Sequence, residues 1–96
     1  MDFVNFIGID ISKGTFDIAL LKDSNEETLV TNAFANDPKG LVRLEEFLKK
    51  QSIDLDKTLF CMEHTGTYGL LFFAWLSQMG FDYCIEPELK IKRVLN

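Results

Sequence analysis

The sequence predicts an α/β fold built on a five-strand mixed sheet in the order 3-2-1-4-5. The first observation is a pair of apolar runs, residues 3–11 and 15–21, separated by a short turn, which is the spacing of a hairpin. The second is that each of two later apolar runs follows a stretch with helical periodicity. Right-handed crossovers make such strands parallel to their neighbours. A chain of 96 residues, 47% of them hydrophobic, forms a single domain over residues 1–96.

The first three strands are expected to form an antiparallel meander because short turns join them. The first strand is a nearly continuous apolar run, which is typical of a strand buried on both faces. Its apolar members are Val4, Phe6, Ile7, Ile9 and Ile11. The third strand, residues 27–34, mixes polar and apolar side chains, which favours a position at the edge of the sheet.

An amphipathic helix is expected after the third strand. Asn36 and Asp37 are candidate N-caps, and Pro38 suits the first helical position. Beyond them, apolar side chains recur at helical spacing and charged ones cover the remaining surface, as in a helix that lies on a sheet. The apolar positions are Leu41, Leu44 and Leu48, with Val42 and Phe47 alongside.

A second helix, residues 67–80, follows the fourth strand, residues 58–62, with Thr67 or Thr65 as its cap. It is apolar around more than one stripe, so we expect a second surface to cover it. That surface would belong to another subunit of a homo-oligomer or to sequence further downstream. Aromatic residues of this helix could stack on nucleic-acid bases, although aromatic residues at helical spacing more often form a core. They are Phe72, Phe73 and Trp75.

The last predicted elements are a short strand over residues 81–85 and, after Pro87, a further helix over Glu88 to Leu95. Each of the last two strands follows a helix and is therefore parallel to its neighbour. Placing the fourth strand beside the first joins these strands to the meander, which gives the order stated above.

Net charge, cysteine positions and the length of apolar runs limit the classes of function that fit the chain. The net charge of −5 argues against a free-standing nucleic-acid binder, since Lys and Arg supply most of the non-specific affinity for phosphates. Cys61 and Cys84 lie within apolar strand runs and are expected to act as small hydrophobic residues rather than as a disulfide. Without a signal peptide, they indicate a reducing cytoplasm. The longest apolar run, Leu70 to Leu76, is far too short to span a membrane.

Two carboxylates are predicted to meet at one edge of the sheet. Asp10 lies at the end of the first strand, where a carboxylate is costly unless it is paired, hydrogen-bonded or bound to a metal. In the predicted order, Glu63 lies at the carboxyl end of the adjacent parallel strand. Open α/β sheets place their ligand sites at those ends. Hard oxygen ligands of this kind suit Mg²⁺ or Mn²⁺.

Other residues near this edge could bind phosphate. The segment Thr65 to Thr67 opens a helix just after Glu63, and its amides, that of Gly66 among them, could hold a phosphate. Lys13 in the hairpin turn could supply a cation. Together these groups indicate a metal-dependent phosphodiester site. The residues alone leave open a plainer interpretation, in which Glu63 is a surface carboxylate and Asp10 a turn-forming residue.

Three regions of the chain resemble the DEDD-type insertion-sequence transposases, whose catalytic domain is RuvC-like with a ribonuclease H fold. Gly8 to Lys13, followed by Phe16 to Leu20, resembles the opening of that family. Glu63 to Tyr68 resembles its second motif, Glu-x-Thr-Gly-x-Tyr, and Pro87 to Arg93 resembles its basic segment after the fifth strand. The resemblance thus spans nearly the whole chain, in order and at the expected spacing.

The resemblance implies a function in DNA transposition, through phosphodiester cleavage and strand transfer. Asp10 and Glu63 would be the first D and the E of the catalytic tetrad, holding Mg²⁺ or Mn²⁺, with two ions in the complete site. DNA is the implied partner, together with a guide RNA, and Lys90, Lys92 and Arg93 would contact a nucleic-acid backbone. The last two acidic residues of the family lie further downstream. The chain is therefore expected to be an N-terminal portion that carries half of the metal site and does not cut DNA alone.

The sequence leaves other functions open. The chain could be a non-catalytic module that dimerises through the helix over residues 67–80, or that binds nucleic acid. An actin-like or sugar-kinase-like phosphate site ranks last, because its turn requires Gly where Ser12 stands. Asp17 could be a third carboxylate near the site, but it is expected to face solvent or to pair with Lys13. His64 is expected to serve as a helix-entry residue.

Overall fold

A computed structural model describes residues 3–22, 29–62 and 66–85 of the chain. The strands are β1 (Asn5–Ile11), β2 (Thr15–Leu21), β3 (Leu29–Ala35), β4 (Thr58–Met62) and β5 (Asp82–Ile85). The helices are α1 (Pro38–Lys50) and α2 (Leu70–Met79), and 3-10 turns precede β4 (Leu55–Lys57) and α2 (Gly66–Gly69). The predicted helix over Glu88 to Leu95 lies outside the described residues.

The five strands form one sheet in the order β3-β2-β1-β4-β5, so the predicted order is confirmed. The β1–β2 and β2–β3 pairs are antiparallel, while the β1–β4 and β4–β5 pairs are parallel. A mixed sheet of this order with two helices is a ribonuclease H-like α/β fold, as expected. The boundaries shift by one or two residues: β1 begins at Asn5, β3 ends at Ala35 and β5 begins at Asp82.

The core lies on one face of the sheet. Ile7, Ile9 and Ile11 alternate along β1 and are buried. They belong to the same apolar cluster as the buried residues of both helices, because side chains at every second position of a strand share a face. The helix members of the cluster are Leu41, Leu44, Leu48, Phe72 and Leu76. Asp10, between Ile9 and Ile11, therefore points to the opposite face and is exposed.

The start of α1 confirms one of its two predicted caps. The side chain of Asp37 accepts a hydrogen bond from the Gly40 N–H at 2.7 Å, and Pro38 occupies the first turn. Asn36, the other candidate, directs its side chain elsewhere. A glycine is required at position 40, because a Cβ there would lie 2.6 Å from the Ala35 carbonyl carbon. The helix thus packs directly against the end of β3.

The start of α2 differs from the prediction. The α-helix begins at Leu70, and Gly69, at its N-cap position, makes no side-chain cap hydrogen bond. The N-cap is therefore not Thr67, so that part of the prediction is wrong, and the other candidate, Thr65, lies outside the described residues. Glycine and threonine are poor helix formers, and the short stretch from Gly66 to Gly69 winds instead as a tighter 3-10 turn. The predicted end at Gly80 is confirmed, with a left-handed φ of 72°.

The aromatic side chains of α2 pack inside the domain. Phe72 is fully buried, and its ring centroid lies 5.0 Å from that of Phe16 and 5.4 Å from that of Trp75. Phe73 packs against Tyr83 at 6.0 Å. These contacts favour the core interpretation over base stacking. None of the helices in the described ranges is long and apolar enough to cross a membrane.

The two cysteines are cross-strand neighbours. Cys61 of β4 and Cys84 of β5 are register partners on the sheet. Their sulfur atoms lie 3.5 Å apart, with the Cys84 thiol as donor, and this distance is too long for a disulfide bond. Both side chains are half-buried, in keeping with the expectation that they act as small hydrophobic residues.

Candidate metal and phosphate site

Asp10 lies opposite a second carboxylate in the hairpin. Its register partner on β2 is Asp17, and both side chains are exposed on the face away from the core. Ser12 N–H donates to Thr15 O at 2.9 Å. Since hydrogen-bonded and non-hydrogen-bonded pairs alternate along an antiparallel ladder, Asp10 and Asp17 form a hydrogen-bonded pair, with Cα atoms about 5.5 Å apart. Two like charges directly opposite each other repel unless a cation lies between them.

An open groove of about 530 Å³ runs across β1, β2 and β3 at this position. It is lined by Asp10, Asp17, Ile18, Thr31, Asn32 and Ala33. Asp17 faces solvent, as expected, and among the described residues no ion pair joins it to Lys13. Carboxylate oxygens at the edge of an open groove fit a hard divalent cation that keeps several of its waters. No group of three or more acidic, His or Cys side chains able to hold a metal occurs within the described ranges.

The hairpin turn is held by side-chain hydrogen bonds. The Thr15 N–H donates to Ser12 Oγ at 3.2 Å, and the Ser12 and Thr15 hydroxyl oxygens lie 2.9 Å apart. Lys13 lies between them in the chain and is exposed. A contact between its ammonium group and a phosphate remains a prediction.

Asn36, which follows the end of β3, forms hydrogen bonds with the hairpin turn. The side-chain amide of Asn36 donates to Ser12 O at 2.8 Å and to Tyr68 O at 3.0 Å. Its backbone N–H donates to Gly14 O at 3.0 Å. Local sequence patterns indicated only a cap at Asn36, because both side-chain partners are distant in the chain, 24 and 32 residues away.

The helical segment predicted near the site begins as a 3-10 turn rather than as an α-helix. Gly66 is the first residue of the 3-10 turn that leads into α2, so it does open a helical stretch. The phosphate-binding role of its amide remains a prediction. Several predicted site residues lie outside the described residues, and their roles also remain predictions. They are Glu63, Thr65, Lys90, Lys92 and Arg93. His64 also lies outside the described residues.

The described part of the sheet ends just before the predicted partner of Asp10. In the parallel β1–β4 pair, the last register partners are Ile9 and Met62. Asp10 follows Ile9, and Glu63 follows Met62 in the sequence. Asp17 could be a third carboxylate near the site on sequence grounds, but the expectation was that it faces solvent or pairs with Lys13. Its position opposite Asp10 follows from the hairpin register, in which Ile9 pairs with Ile18 and Ile11 with Phe16.

Comparison with known protein families gives a match. Residues 7–96 match the family described as DEDD_Tnp_IS110, transposase. The matched range includes Asp10, the hairpin, both helices and the Gly66–Gly69 turn. No curated protein matches the chain. Since the match covers most of the sequence, the chain belongs to the DEDD_Tnp_IS110 family of transposases.

Proposed function

We propose that this domain supplies Asp10 and Glu63 to a divalent-metal site that cleaves phosphodiester bonds and transfers DNA strands during transposition. The observation that carries the proposal is the position of Asp10. It is an exposed carboxylate near the carboxyl end of a central strand, flanked by the buried Ile9 and Ile11, and it opens into a groove. Membership of a transposase family supports DNA as the partner.

The strand register supports Glu63 as the second ligand. β1 and β4 are parallel, and Ile9 pairs with Met62 at the end of the described ladder. One further step along both strands at the same register would bring Asp10 beside Glu63, because parallel strands advance together. Asp17 adds negative charge across the hairpin and would strengthen the attraction for a cation.

Different residues of the chain would bind the cation and the phosphate. Mg²⁺ or Mn²⁺, two ions in the complete site, would activate the nucleophile and stabilise the leaving oxygen. Asp10 and Glu63 would hold the cation through carboxylate oxygens. Lys13 and the Gly66 amide would contact the phosphate beside it, with the hydroxyl of Thr65 nearby.

Basic residues outside the described ranges would extend the contact with nucleic acid. Lys90, Lys92 and Arg93 form a basic run in an otherwise acidic chain. Neutralisation of DNA phosphates by Lys and Arg would give the non-specific part of the affinity. A guide RNA is the further partner that the resemblance implies, and the cytoplasm is the proposed location.

A metal titration tests the site on this chain. Mn²⁺ added to the ¹⁵N-labelled chain should broaden the amide signals of Asp10, Asp17 and Gly66, and Asp10→Asn should remove that broadening. Asp56→Asn is the matched control, because Asp54 and Asp56 form a second pair of exposed acidic residues in another turn. Broadening centred on Asp54 and Asp56, or broadening that Asp10→Asn leaves unchanged, would contradict the proposal.

Catalysis is tested on a chain that carries all four acidic residues of the family. Such a chain should nick DNA in the presence of Mg²⁺, and Asp10→Ala should abolish the nicking. Activity that survives Asp10→Ala would rule out the role assigned to Asp10.

Exposed apolar residues on the helices favour self-association as a second, non-catalytic role. Leu70 is 64% exposed, Val42 58% and Met79 43%. Val42 and Met79 line one groove between α1 and α2. A homo-oligomer formed through residues 67–80 would cover these side chains. Light scattering over a range of concentrations tests this role, and a strict monomer with α2 intact would contradict it.

A further inference from the structure

Asn36 makes three hydrogen bonds that join distant segments. It lies between β3 and the N-cap of α1, and its side chain is half-buried. Its Nδ2 donates to Ser12 O and to Tyr68 O, and its backbone N–H donates to Gly14 O, all at 2.8–3.0 Å. One residue thus holds both the hairpin turn and the turn that precedes α2.

The chemistry of the partners requires an amide at this position. Both side-chain partners are backbone carbonyls, which only accept hydrogen bonds, so the side chain must supply two N–H donors. In an ordinary β-turn, the Ser12 carbonyl would accept the Thr15 N–H. Here the Thr15 N–H donates to Ser12 Oγ, and the Ser12 carbonyl accepts from Asn36 instead. The conformation of the turn and the identity of residue 36 therefore depend on each other.

The two segments that Asn36 joins are the ones that flank the proposed metal site. Ser12 follows Asp10 by two residues on the hairpin. Tyr68 belongs to the Gly66–Gly69 turn, which follows Glu63 in the sequence. A change in the distance between these turns would change the separation of the groups that are proposed to share a cation.

Asn36 itself is held in place by the start of α1. The next residue, Asp37, caps the helix through the Gly40 N–H at 2.7 Å. Pro38 restricts the backbone of the first turn. The preceding residue, Ala35, lies so close to Gly40 that no Cβ fits between them. The side-chain amide of Asn36 therefore extends from a rigid junction between β3 and α1.

We propose that Asn36 is a positioning residue that couples the Asp10 hairpin to the Gly66–Gly69 turn and thereby preorganises the metal site. The effect on metal binding rests on the proposed function. The mechanical coupling does not, since it depends only on the hydrogen bonds described above.

The experiment compares Asn36→Asp with two controls. Asn36→Asp keeps the size of the side chain but places a carboxylate against two carbonyl oxygens, so both side-chain hydrogen bonds are lost. Asp37→Ala removes the adjacent cap without touching either turn, and Gln78→Glu makes the same amide-to-carboxylate change on an exposed position of α2. Asn36→Ala deletes the donors without adding charge and replaces Asn36→Asp if circular dichroism shows that Asn36→Asp does not fold.

Two readouts are measured on each variant. The first is amide hydrogen exchange without metal. It should accelerate in Asn36→Asp both at Ser12 and Thr15, whose N–H groups are hydrogen-bonded in the hairpin turn, and at Tyr68 and Gly69. The second is the apparent Kd for Mn²⁺, which should rise at least about tenfold, as is typical when a group that orients a metal ligand is lost. Asp37→Ala should accelerate exchange at the start of α1 only. Both controls should leave the Kd within about twofold of the wild-type value, well short of that loss.

The outcomes separate the two proposals. Accelerated exchange in both turns, with a raised Kd, supports the positioning role. Exchange that changes in one turn only, or in neither, overturns it, and so does a Kd that Asn36→Asp leaves unchanged. A wild-type chain that does not bind Mn²⁺ overturns the proposed metal site, while joint acceleration of exchange in that chain still supports the coupling.

Discussion

The close approach of α1 to the end of β3 predicts a large effect for Gly40→Ala. Gly40 is buried in the first turn of α1. An added Cβ would lie 2.6 Å from the Ala35 carbonyl carbon, 3.0 Å from the Ala35 nitrogen, and closer still to the carbonyl oxygen. All three atoms belong to the backbone of β3, so no side-chain rotation can relieve the overlap. The helix must move away from the strand.

The size of the effect follows from the required movement. Carbon atoms in contact lie about 3.5–4.0 Å apart, so the start of α1 must shift by roughly 1 Å. Overpacking against a rigid element costs about 3 kcal/mol, the upper end of the usual range. Alanine is the better helix former and returns about 1 kcal/mol. The free energy of unfolding should therefore fall by about 2 kcal/mol, which for a domain of this size lowers Tm by roughly 8–16 °C.

Gly14→Ala is the matched control, because a Cβ at Gly14 would have no atom within 4 Å. Thermal and urea unfolding, followed by circular dichroism, measure both variants. Gly14→Ala should leave Tm unchanged or raise it slightly, since alanine restricts the unfolded chain. A Gly40→Ala variant as stable as the wild type would show that α1 does not lie as close to β3 as described, and would weaken the argument that Asn36 sits on a rigid junction.

Two further predictions concern the core and the carboxylate pair. Phe72→Ala should lower the free energy of unfolding by about 3–5 kcal/mol in urea titrations, because the ring is fully buried against Phe16 and Trp75; a loss below about 1 kcal/mol would contradict this packing. Asp17→Asn should raise Tm in metal-free buffer of low ionic strength, because it removes a like charge opposite Asp10. The gain should shrink in 1 M salt, where the Debye length is about 3 Å, and a lowered Tm would indicate that the two carboxylates do not repel each other.

The sheet order was predictable because it depends on connection lengths. A short turn after residue 11 forces an antiparallel neighbour, and each crossover helix forces a parallel one, so few arrangements remain. The position of Asp10 near the carboxyl end of β1 was predictable from the apolar run that precedes it and the short turn that follows it. The run predicted a strand buried on both faces, whereas burial in β1 alternates around Asp10, which faces away from the core. Both inferences use local features, namely connection lengths and apolar runs, which a single sequence displays directly.

The role of Asn36 was not predictable in this way. An asparagine before Asp37 and Pro38 matches the local pattern of a helix start, and the pattern correctly located the helix. Its side-chain hydrogen bonds, however, end on backbone carbonyls of residues 12 and 68. Every residue has a backbone carbonyl, so the sequence does not show which residues accept these hydrogen bonds. The shift of the α-helix start to Leu70 likewise depends on competition between 3-10 and α geometry in a short stretch.

The same strands that bring two carboxylates together also supply the energy that keeps them there. Asp10 and Asp17 face each other on one side of the hairpin, and their repulsion favours separation of β1 and β2. On the other side, Ile9 and Ile18 are register partners, and both are almost completely buried. Burial of a large aliphatic side chain contributes about 1.5–3 kcal/mol, more than the roughly 0.2–1 kcal/mol of a cross-strand pair. The alternation of the strand therefore lets the apolar face hold in place an acidic pair whose like charges repel each other.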